Sequence, residues 1–493
     1  MSIKEGFRIQ YLKLNDHMFK ESEISFVDNY SNDEDNYLSI VIGTNGVGKT
    51  RLIRDIASIF LEISDKKLKE DVSFRSAIKY YYIKYSINED NFEIEKNGSA
   101  FNYHKNGLVI DISVIDLPNK VLANSFLIGD KFIYKQNDDS GIYKYLGVRE
   151  TNARTSTTAI AKKIVRNIVK CVDNEQFVYG LGVVMKFVGL SNRINLAYKS
   201  KSRQKIFLEN LHVDEFRDII NSKLERRKRT DPFWKKKWEN IESNYDELIS
   251  LVSFIKYISG RIDSKGYINY NIDFNNNSYN KEIGNEVKYL NKLIELDLVE
   301  SPIVKVSSEE SYELSESSSG ELHILFLITS ILSEVENNSL IIMDEPEISL
   351  HPSWIIKFTP LLNEVLKNHK GCHIVIASHS HFILSDLDKR NSNIIILKKE
   401  LGRVKVESSP SYTYGWSAEN ILYKVFGVPS CRNYYLTGEV QKVLNVITRK
   451  EKDDISNELD RLKEISPNLS ESDPLRVVIE EILKRVGDKC ESL

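Results

Sequence analysis

Leu38-Ser-Ile-Val-Ile-Gly-Thr-Asn-Gly-Val-Gly-Lys-Thr50 decides the reading of this chain. Leu38 to Ile42 is a short apolar run rich in β-branched residues, the pattern of a strand buried on both faces. Gly43 to Thr50 then matches G-x-x-x-x-G-K-[ST] in full. Beyond it Leu52, Ile53, Ile56, Ile59, Phe60 and Ile63 recur at helical spacing. Strand, glycine-rich loop, helix is the context a phosphate loop requires. The glycines let the backbone curl so that amide N–H groups point at phosphate oxygens, and the helix N-terminus adds the positive end of its dipole. The candidate nucleotide-binding residues are therefore Gly43, Asn45, Gly46, Gly48, Lys49 and Thr50. Lys49 is expected to reach the β and γ phosphates of ATP, and the Thr50 hydroxyl to bind Mg²⁺.

Far downstream, Leu340-Ile-Ile-Met-Asp-Glu-Pro346 is an apolar strand ending in two acids. Behind a phosphate loop, such a pair reads as the second half of the site. Asp344 would join Thr50 at the metal, and Glu345 is placed to orient or deprotonate the attacking water. Between the two lies a serine-rich run, Leu314-Ser-Glu-Ser-Ser-Ser-Gly-Glu-Leu322, followed by Leu322, Leu325, Phe326 and Ile328 at helical spacing. Ser and Gly favour helix starts in any case. Ile374-Val-Ile-Ala-Ser-His-Ser380 puts His379 just past another apolar strand.

The rest of the chain surrounds these motifs. Phe7 to Leu14 reads as a strand, with Glu23 to Val27 as its hairpin partner. Ile78–Ile83, Asn91–Ile94 and Leu108–Ile115 are strand-like, and Asn97-Gly98 among them is a hairpin signal, which indicates an antiparallel β subdomain. Ala159 to Ile258 looks mostly helical, Tyr267 to Phe274 alternates like a strand, and Lys281 to Leu298 reads as a helix. Leu340–Met343, His373–Ala377 and Asn393–Leu397 are short buried strands of parallel type, so the fold class is α/β. The expected organisation is a first head part over 1–150, a mostly helical insertion over 151–300, a second head part over 301–405, and a helical C-terminal region over 406–493.

With 68 Lys plus Arg against 71 Asp plus Glu, the chain is not a general coat for nucleic acid. Its four cysteines form no CxxC pair, which argues against a zinc ribbon and against a disulfide framework. No stretch approaches twenty apolar residues, and a cytoplasmic protein without a membrane partner is expected.

The four motifs, in this order, resemble the ABC-type ATPase superfamily. Asp344-Glu-Pro-Glu-Ile-Ser-Leu-His-Pro352 and Ala377-Ser-His-Ser-His381 are most similar to its OLD-like and SMC-like members. The resemblance implies an ATPase head with an antiparallel β subdomain, a large helical insertion and a helical tail. It implies that Ser318, Ser319, Gly320 and Glu321 form the signature segment, which serves ATP held by a second copy in a dimer or higher even-numbered oligomer. It makes Ser349 to Pro352 the D-loop and His379 the switch histidine, so that Glu345 and His379 are the catalytic candidates. The signature is divergent, since Ser317 stands where a leucine is usual. Ala123-Asn-Ser-Phe-Leu-Ile-Gly-Asp-Lys-Phe132 and Tyr145-Leu-Gly-Val-Arg149 resemble segments of ATPase subunits of Septu-type and PARIS-type antiphage systems. The first stands where a Q-loop is expected, without its glutamine. No Toprim or His-Asn-His nuclease pattern is visible, so the resemblance implies a separately encoded effector, a nuclease. An SMC-like DNA-repair ATPase and a non-hydrolysing ATP-dependent scaffold are the alternatives.

Two regions stay open. Arg226, Arg227, Lys228 and Arg229, then Lys235, Lys236 and Lys237 with Phe233, Trp234 and Trp238 among them, are either a nucleic-acid contact or a solvated helix face with its aromatics in the core. The apolar stripes of the tail, Ile455, Leu459 and Leu462, then Leu475, Val478, Ile479 and Ile482, need a surface to cover. Either the ATPase core or the docked effector supplies it.

Overall fold

The computed structural model describes residues 6–490 apart from 17, 21, 28–35, 69–76, 128, 135–140, 150–156, 202–205, 227–231, 276, 309, 389, 401, 409–412, 427–433, 450–453 and 470–473. It divides into two compact units, Met1–Trp416 and Ser417–Leu493.

In the first unit, Phe7–Asn15 (β1) alternates buried and half-buried residues and pairs antiparallel with Ser22–Ser25 (β2). Tyr37–Gly43 (β3) is buried at six successive positions, as a strand covered on both faces must be. Lys49–Lys67 (α1) follows the glycine loop and buries Leu52, Ile53, Ile56, Ile59, Phe60 and Ile63. Four antiparallel strands come next: Tyr80–Ile87 (β4), Asp90–Asn97 (β5), Ala100–Lys105 (β6) and Leu108–Val109 (β7). Gly98, with φ +62°, turns β5 into β6. Beyond Val109 the expected strand stops, and Ile112–Val114 is a 3₁₀ turn capped by Asp111. Val121–Ser125 (β8) and Tyr143–Tyr145 (β9) follow.

Helices Thr157–Cys171 (α2) and Glu175–Phe187 (α3) open the insertion. Arg193–Lys199 (β10) then interrupts the stretch that reads as helical, before Val213–Arg226 (α4), Pro232–Ser243 (α5) and Tyr245–Ser259 (α6). Its partners, Tyr267–Asp273 (β11) and Ile303–Ser307 (β12), lie far along the chain, which is why local patterning misses it. Asn277–Glu295 (α7) separates those two partners, and Ser311–Glu313 (β13) completes a four-stranded sheet ordered β11-β10-β12-β13. The chain continues through Ser319–Leu332 (α8), Leu340–Asp344 (β14), Pro352–Ile356 (α9), Phe358–Val365 (α10), His373–Ser378 (β15), Ser392–Glu400 (β16) and Arg403–Ser408 (β17).

The central sheet has the order β17-β16-β3-β15-β14-β8-β9 and is parallel except for β17 at its edge. Ala377 is level with Val41 on one side and Asp344 on the other, and Asp344 is level with Ser125. The loops that leave β3, β15, β14 and β8 therefore emerge side by side at the carboxyl ends of the strands, where open α/β sheets bind ligands. A second sheet, β2-β1-β4-β5-β6-β7, shares one apolar core with α1, in which Phe7, Phe60, Tyr85 and Phe92 pack ring against ring. The fold is mixed α/β, as the motifs imply.

The second unit holds Ala418–Lys424 (α11), Tyr434–Arg449 (α12), Ser456–Ile465 (α13) and Pro474–Cys490 (α14). Val440 and Val443 of α12, Leu462 of α13, and Ile479 and Ile482 of α14 form a core of their own, flanked by Ile455, Leu459 and Leu475. This corrects the expectation that the two stripes need an outside surface. They cover each other and a third stripe on α12. Val478 is 42 % exposed and stands apart from that core. Among the described residues, no helix is long and apolar enough to cross a membrane.

Candidate nucleotide-binding site

The glycine loop keeps its shape through contacts that leave no room for side chains. A Cβ on Gly43 would stand 2.4 Å from the Leu397 carbonyl oxygen of β16. Gly48 has φ +106°, and its Cβ would stand 2.7 Å from Met18 Cε. Gly48 is the N-cap of α1, and among the described residues no side chain caps that helix. The first amides of α1 thus keep donors for a ligand at the positive end of the helix dipole.

Lys49 is 5 % exposed, and its Nζ donates to the carbonyls of Gly43 at 2.8 Å and Thr44 at 3.4 Å. Burial holds its pKa below the usual lysine value, while the neighbouring Glu345, Glu347 and Asp344 pull it back up. Thr50 Oγ1 donates to Asp344 Oδ1 at 3.0 Å. Asp344 is 1 % exposed, and its Oδ2 is buried without a partner among the described residues. Burial, then the charges of Glu345, Asp130 and Glu347, push its pKa up to about 7, against the lowering effect of Thr50. A buried carboxylate oxygen with nothing to satisfy it fits a cation. Among the described residues no three His, Cys, Asp or Glu side chains form a metal cage. Thr50 Oγ1 and Asp344 Oδ2 are oxygen donors of the kind Mg²⁺ takes, one or two from protein with phosphate and water completing its shell.

Glu345 sits at φ +49°, left-handed for a non-glycine residue, and its N–H donates to Ala377 O at 2.8 Å. Its Oε1 lies 3.3 Å from His379 Nδ1. Glu347 was not singled out by the sequence, yet it holds this turn. Its Oε1 accepts from Ser378 Oγ at 2.5 Å and from His379 N at 3.1 Å, and lies 3.4 Å from His379 Nδ1. The only available signal is its place in Asp344-Glu-Pro-Glu347.

Asn45, Gly46, Gly48, Lys49, Thr50, Asp344, Glu345 and His379 line one cleft of about 650 Å³, a size that accommodates a nucleotide. Gly43 is not among the residues that line the cleft. The far wall is Leu127, Gly129, Asp130 and Lys131, from the loop after β8. This wall is locked by the second segment noted in the sequence. Tyr145 OH donates to Asp130 Oδ2 at 2.5 Å, and Arg149 donates to the carbonyls of Asp130 at 3.2 Å and Phe132 at 2.6 Å. Burial raises the Asp130 pKa, opposed by Tyr145 and Arg149.

Ser318 to Glu321 are not among the residues lining this cleft. They start α8 with a capping box, in which Ser318 N donates to Glu321 Oε2 at 2.8 Å and Glu321 N to Ser318 Oγ at 3.3 Å. Ser318 and Ser319 are exposed. A Cβ on Gly320 would stand 3.1 Å from the Ser349 carbonyl, so this helix start and the turn at Ser349 pack closely.

Of the basic run, Arg227, Lys228 and Arg229 lie outside the described residues, as do the side chains of Arg226, Phe233, Trp234 and Lys237. Lys235 and Lys236 are exposed, and Lys235 lies 3.6 Å from Glu239. Trp238 is 1 % exposed, donates to Asn221 Oδ1 at 2.9 Å and packs edge-on against Phe216. It belongs to the core of the insertion, as the second of the two readings of this run has it.

Comparison with known proteins gives four findings. Over 72 residues the chain is 39 % identical to Protein ea59 of Escherichia phage lambda, covering 15 % of this chain and 14 % of that protein. It is similar to the SMC head domain from Thermotoga maritima, at 13 % identity and a TM-score of 0.36, covering 82 % of this chain and 99 % of that one. It is also similar to the Smc head domain with an extended coiled coil bound to the C-terminal domain of ScpA, from Pyrococcus furiosus, at 14 % identity and a TM-score of 0.33, covering 81 % and 96 %. The family model described as "AAA domain, putative AbiEii toxin, Type IV TA system" matches residues 130–385. That match takes in the Asp130 wall, the helix start at Ser318, the Asp344–Glu345 strand end and His379, and leaves the phosphate loop to its N-terminal side. It covers more than half of the sequence, and the chain belongs to this AAA-domain family.

Proposed function

We propose that this chain binds and hydrolyses ATP in sites completed by a second copy, and that the resulting dimer controls a separately encoded effector, a nuclease, in a bacterial antiphage defence complex. One observation carries the reading of the site. A single chain gathers the phosphate loop, Thr50, Asp344, Glu345 and His379 in one cleft, while the helix start at Ser318 stands exposed outside it.

Lys49 would exchange its two carbonyl acceptors for phosphate oxygens, to which charge-assisted bonds are stronger. Thr50 and Asp344 would hold Mg²⁺, which when bound supplies charge neutralisation to the phosphates. Glu345, beside His379, would orient a water and accept its proton. The amides at the start of α8 would reach the phosphates held by the other copy, with the helix dipole behind them. The defence role is supported by the two segments that resemble antiphage ATPases and by the family description "putative AbiEii toxin, Type IV TA system". Light scattering on the Glu345→Gln chain tests the dimer. Its mass should double on adding Mg²⁺ and ATP and return on chelating the metal; an unchanged mass contradicts the reading.

A further inference from the structure

We propose that His323 is a positioning residue that ties the nucleotide cleft of one chain to the surface this chain offers a second copy. The proposal rests on the composite-site reading above. His323 lies on α8 two residues past Glu321 and is 0 % exposed, the one histidine in an otherwise apolar buried run from Leu322 to Ile328. Three of the elements that matter meet at its ring. It belongs to the helix whose start is Ser318-Ser-Gly-Glu321. Its face stacks on Phe126, with centroids 3.9 Å apart and planes 17° apart. Phe126 directly precedes Leu127, Gly129 and Asp130, the wall of the cleft. Its Nδ1 bonds the Ile348 carbonyl, one residue before Ser349, whose own carbonyl lies against Gly320.

A carbonyl can only accept, so Nδ1 carries the proton and Nε2 is the acceptor nitrogen. Nε2 is buried with no partner among the described residues, a cost that an apolar side chain would avoid. Burial also holds the ring's pKa down at about 4, so it is neutral at ordinary pH. What the histidine gives in return is a flat ring for Phe126 on one side and a donor for the Ile348 carbonyl on the other. A ligand that presses on the Asp130 wall moves the Phe126 loop, and through this ring it moves the helix start and the Ser349 turn together. Loading of the cleft in one chain thereby sets the surface that meets the other.

The test uses three variants of the full chain and two readouts, binding of labelled ATP and steady-state turnover, with dimer mass measured in the Glu345→Gln background. His323→Phe keeps a stacking ring and loses the donor. His323→Asn keeps a donor near the Nδ1 position. Ser318→Arg blocks the composite site directly. The expected result is that His323→Phe binds ATP within about twofold of the unmodified chain, yet loses the dimer and about tenfold in turnover, the scale of one buried carbonyl left unpaired. His323→Asn should recover most of both. Should His323→Phe dimerise and turn over normally while Ser318→Arg does neither, the proposal is overturned and the composite site stands. Should Ser318→Arg also behave normally, the composite site falls and the proposal falls with it. Should ATP binding drop in step with turnover in a folded His323→Phe chain, the residue is ordinary core and the proposal is overturned. If His323→Phe does not fold, Phe126→Leu is measured in the same way. Retained binding with reduced dimer and turnover supports the proposal, and normal behaviour overturns it.

Discussion

Two helix starts in this molecule carry the same kind of electrostatics and use them in opposite ways. The start of α1, after Gly48, has no side-chain cap among the described residues and faces a cleft. The start of α8, at Ser318, caps itself with Glu321 and stands exposed. An uncapped start inside a cleft costs stability unless something else meets its amides, because helix caps are worth about 1 kcal/mol. A capped start on the surface is stable alone and still presents its dipole outward. On the proposed reading, the first waits for a ligand in its own chain and the second for another chain.

The comparison can be broken most severely at the chemistry between the two. Glu345→Gln should keep ATP affinity and lower turnover by about 10² to 10⁴, the range of general-base catalysis. A single-turnover assay beside an equilibrium binding curve checks this, and unchanged turnover removes Glu345 from the mechanism. Next in size is the α1 side. Lys49→Ala should weaken ATP binding by roughly 10- to 100-fold, since a hydrogen bond to a charged group is worth about 1.5–3 kcal/mol. Titration with labelled ATP reads it directly, and an affinity equal to that of the unmodified chain refutes the cleft.

A smaller effect comes from Asp344, raised to about 7 by burial. Between the ordinary aspartate value and 7 the folded chain holds a proton that the unfolded chain does not. Its contribution to stability therefore falls as pH rises through that window and is flat above it. Binding of Mg²⁺ with ATP needs the carboxylate, so affinity should rise with pH up to about 7, by at most about tenfold per pH unit, with one proton released below that point. Calorimetry in buffers of different ionisation heat counts the protons, and Asp344→Asn should lower the count by one, leaving only those released by the terminal phosphate of ATP. If the proton count is unaffected by that substitution, the carboxylate is not the metal ligand.

The parts of the molecule that were legible beforehand are those whose signal is local. Leu38 to Ile42 and Leu340 to Met343 are apolar without interruption because both faces of the central sheet are covered. Leu52 to Ile63 keeps helical spacing because one face of α1 meets two sheets. What escaped depends on meetings between distant segments. Arg193 to Lys199 is a strand only because Tyr267–Asp273 and Ile303–Ser307 flank it. Arg403 to Ser408 adds an edge to a sheet whose motif-bearing strands end earlier. Glu347 matters through Ser378 and His379, some thirty residues on, and no spacing rule predicts that bond. Leu462 and Ile479 read as two separate stripes, although they share one core with each other and with Val443 of α12.

The claim that one chain's helix start serves another chain's cleft is tested most directly by mixing two damaged chains. Lys49→Ala removes the loop cation, and Ser318→Arg fills the helix start, so each variant alone lacks every complete site. A heterodimer of the two restores one site, made from the intact cleft of the Ser318→Arg chain and the intact α8 start of the Lys49→Ala chain. ATP turnover should be near zero for either chain alone. It should return in the mixture to about one quarter of the unmodified rate, because half of randomly paired dimers carry one working site of two. If mixed chains form heterodimers, shown by two affinity tags, and no turnover returns, the two helix starts do not complete one another and the composite site is wrong.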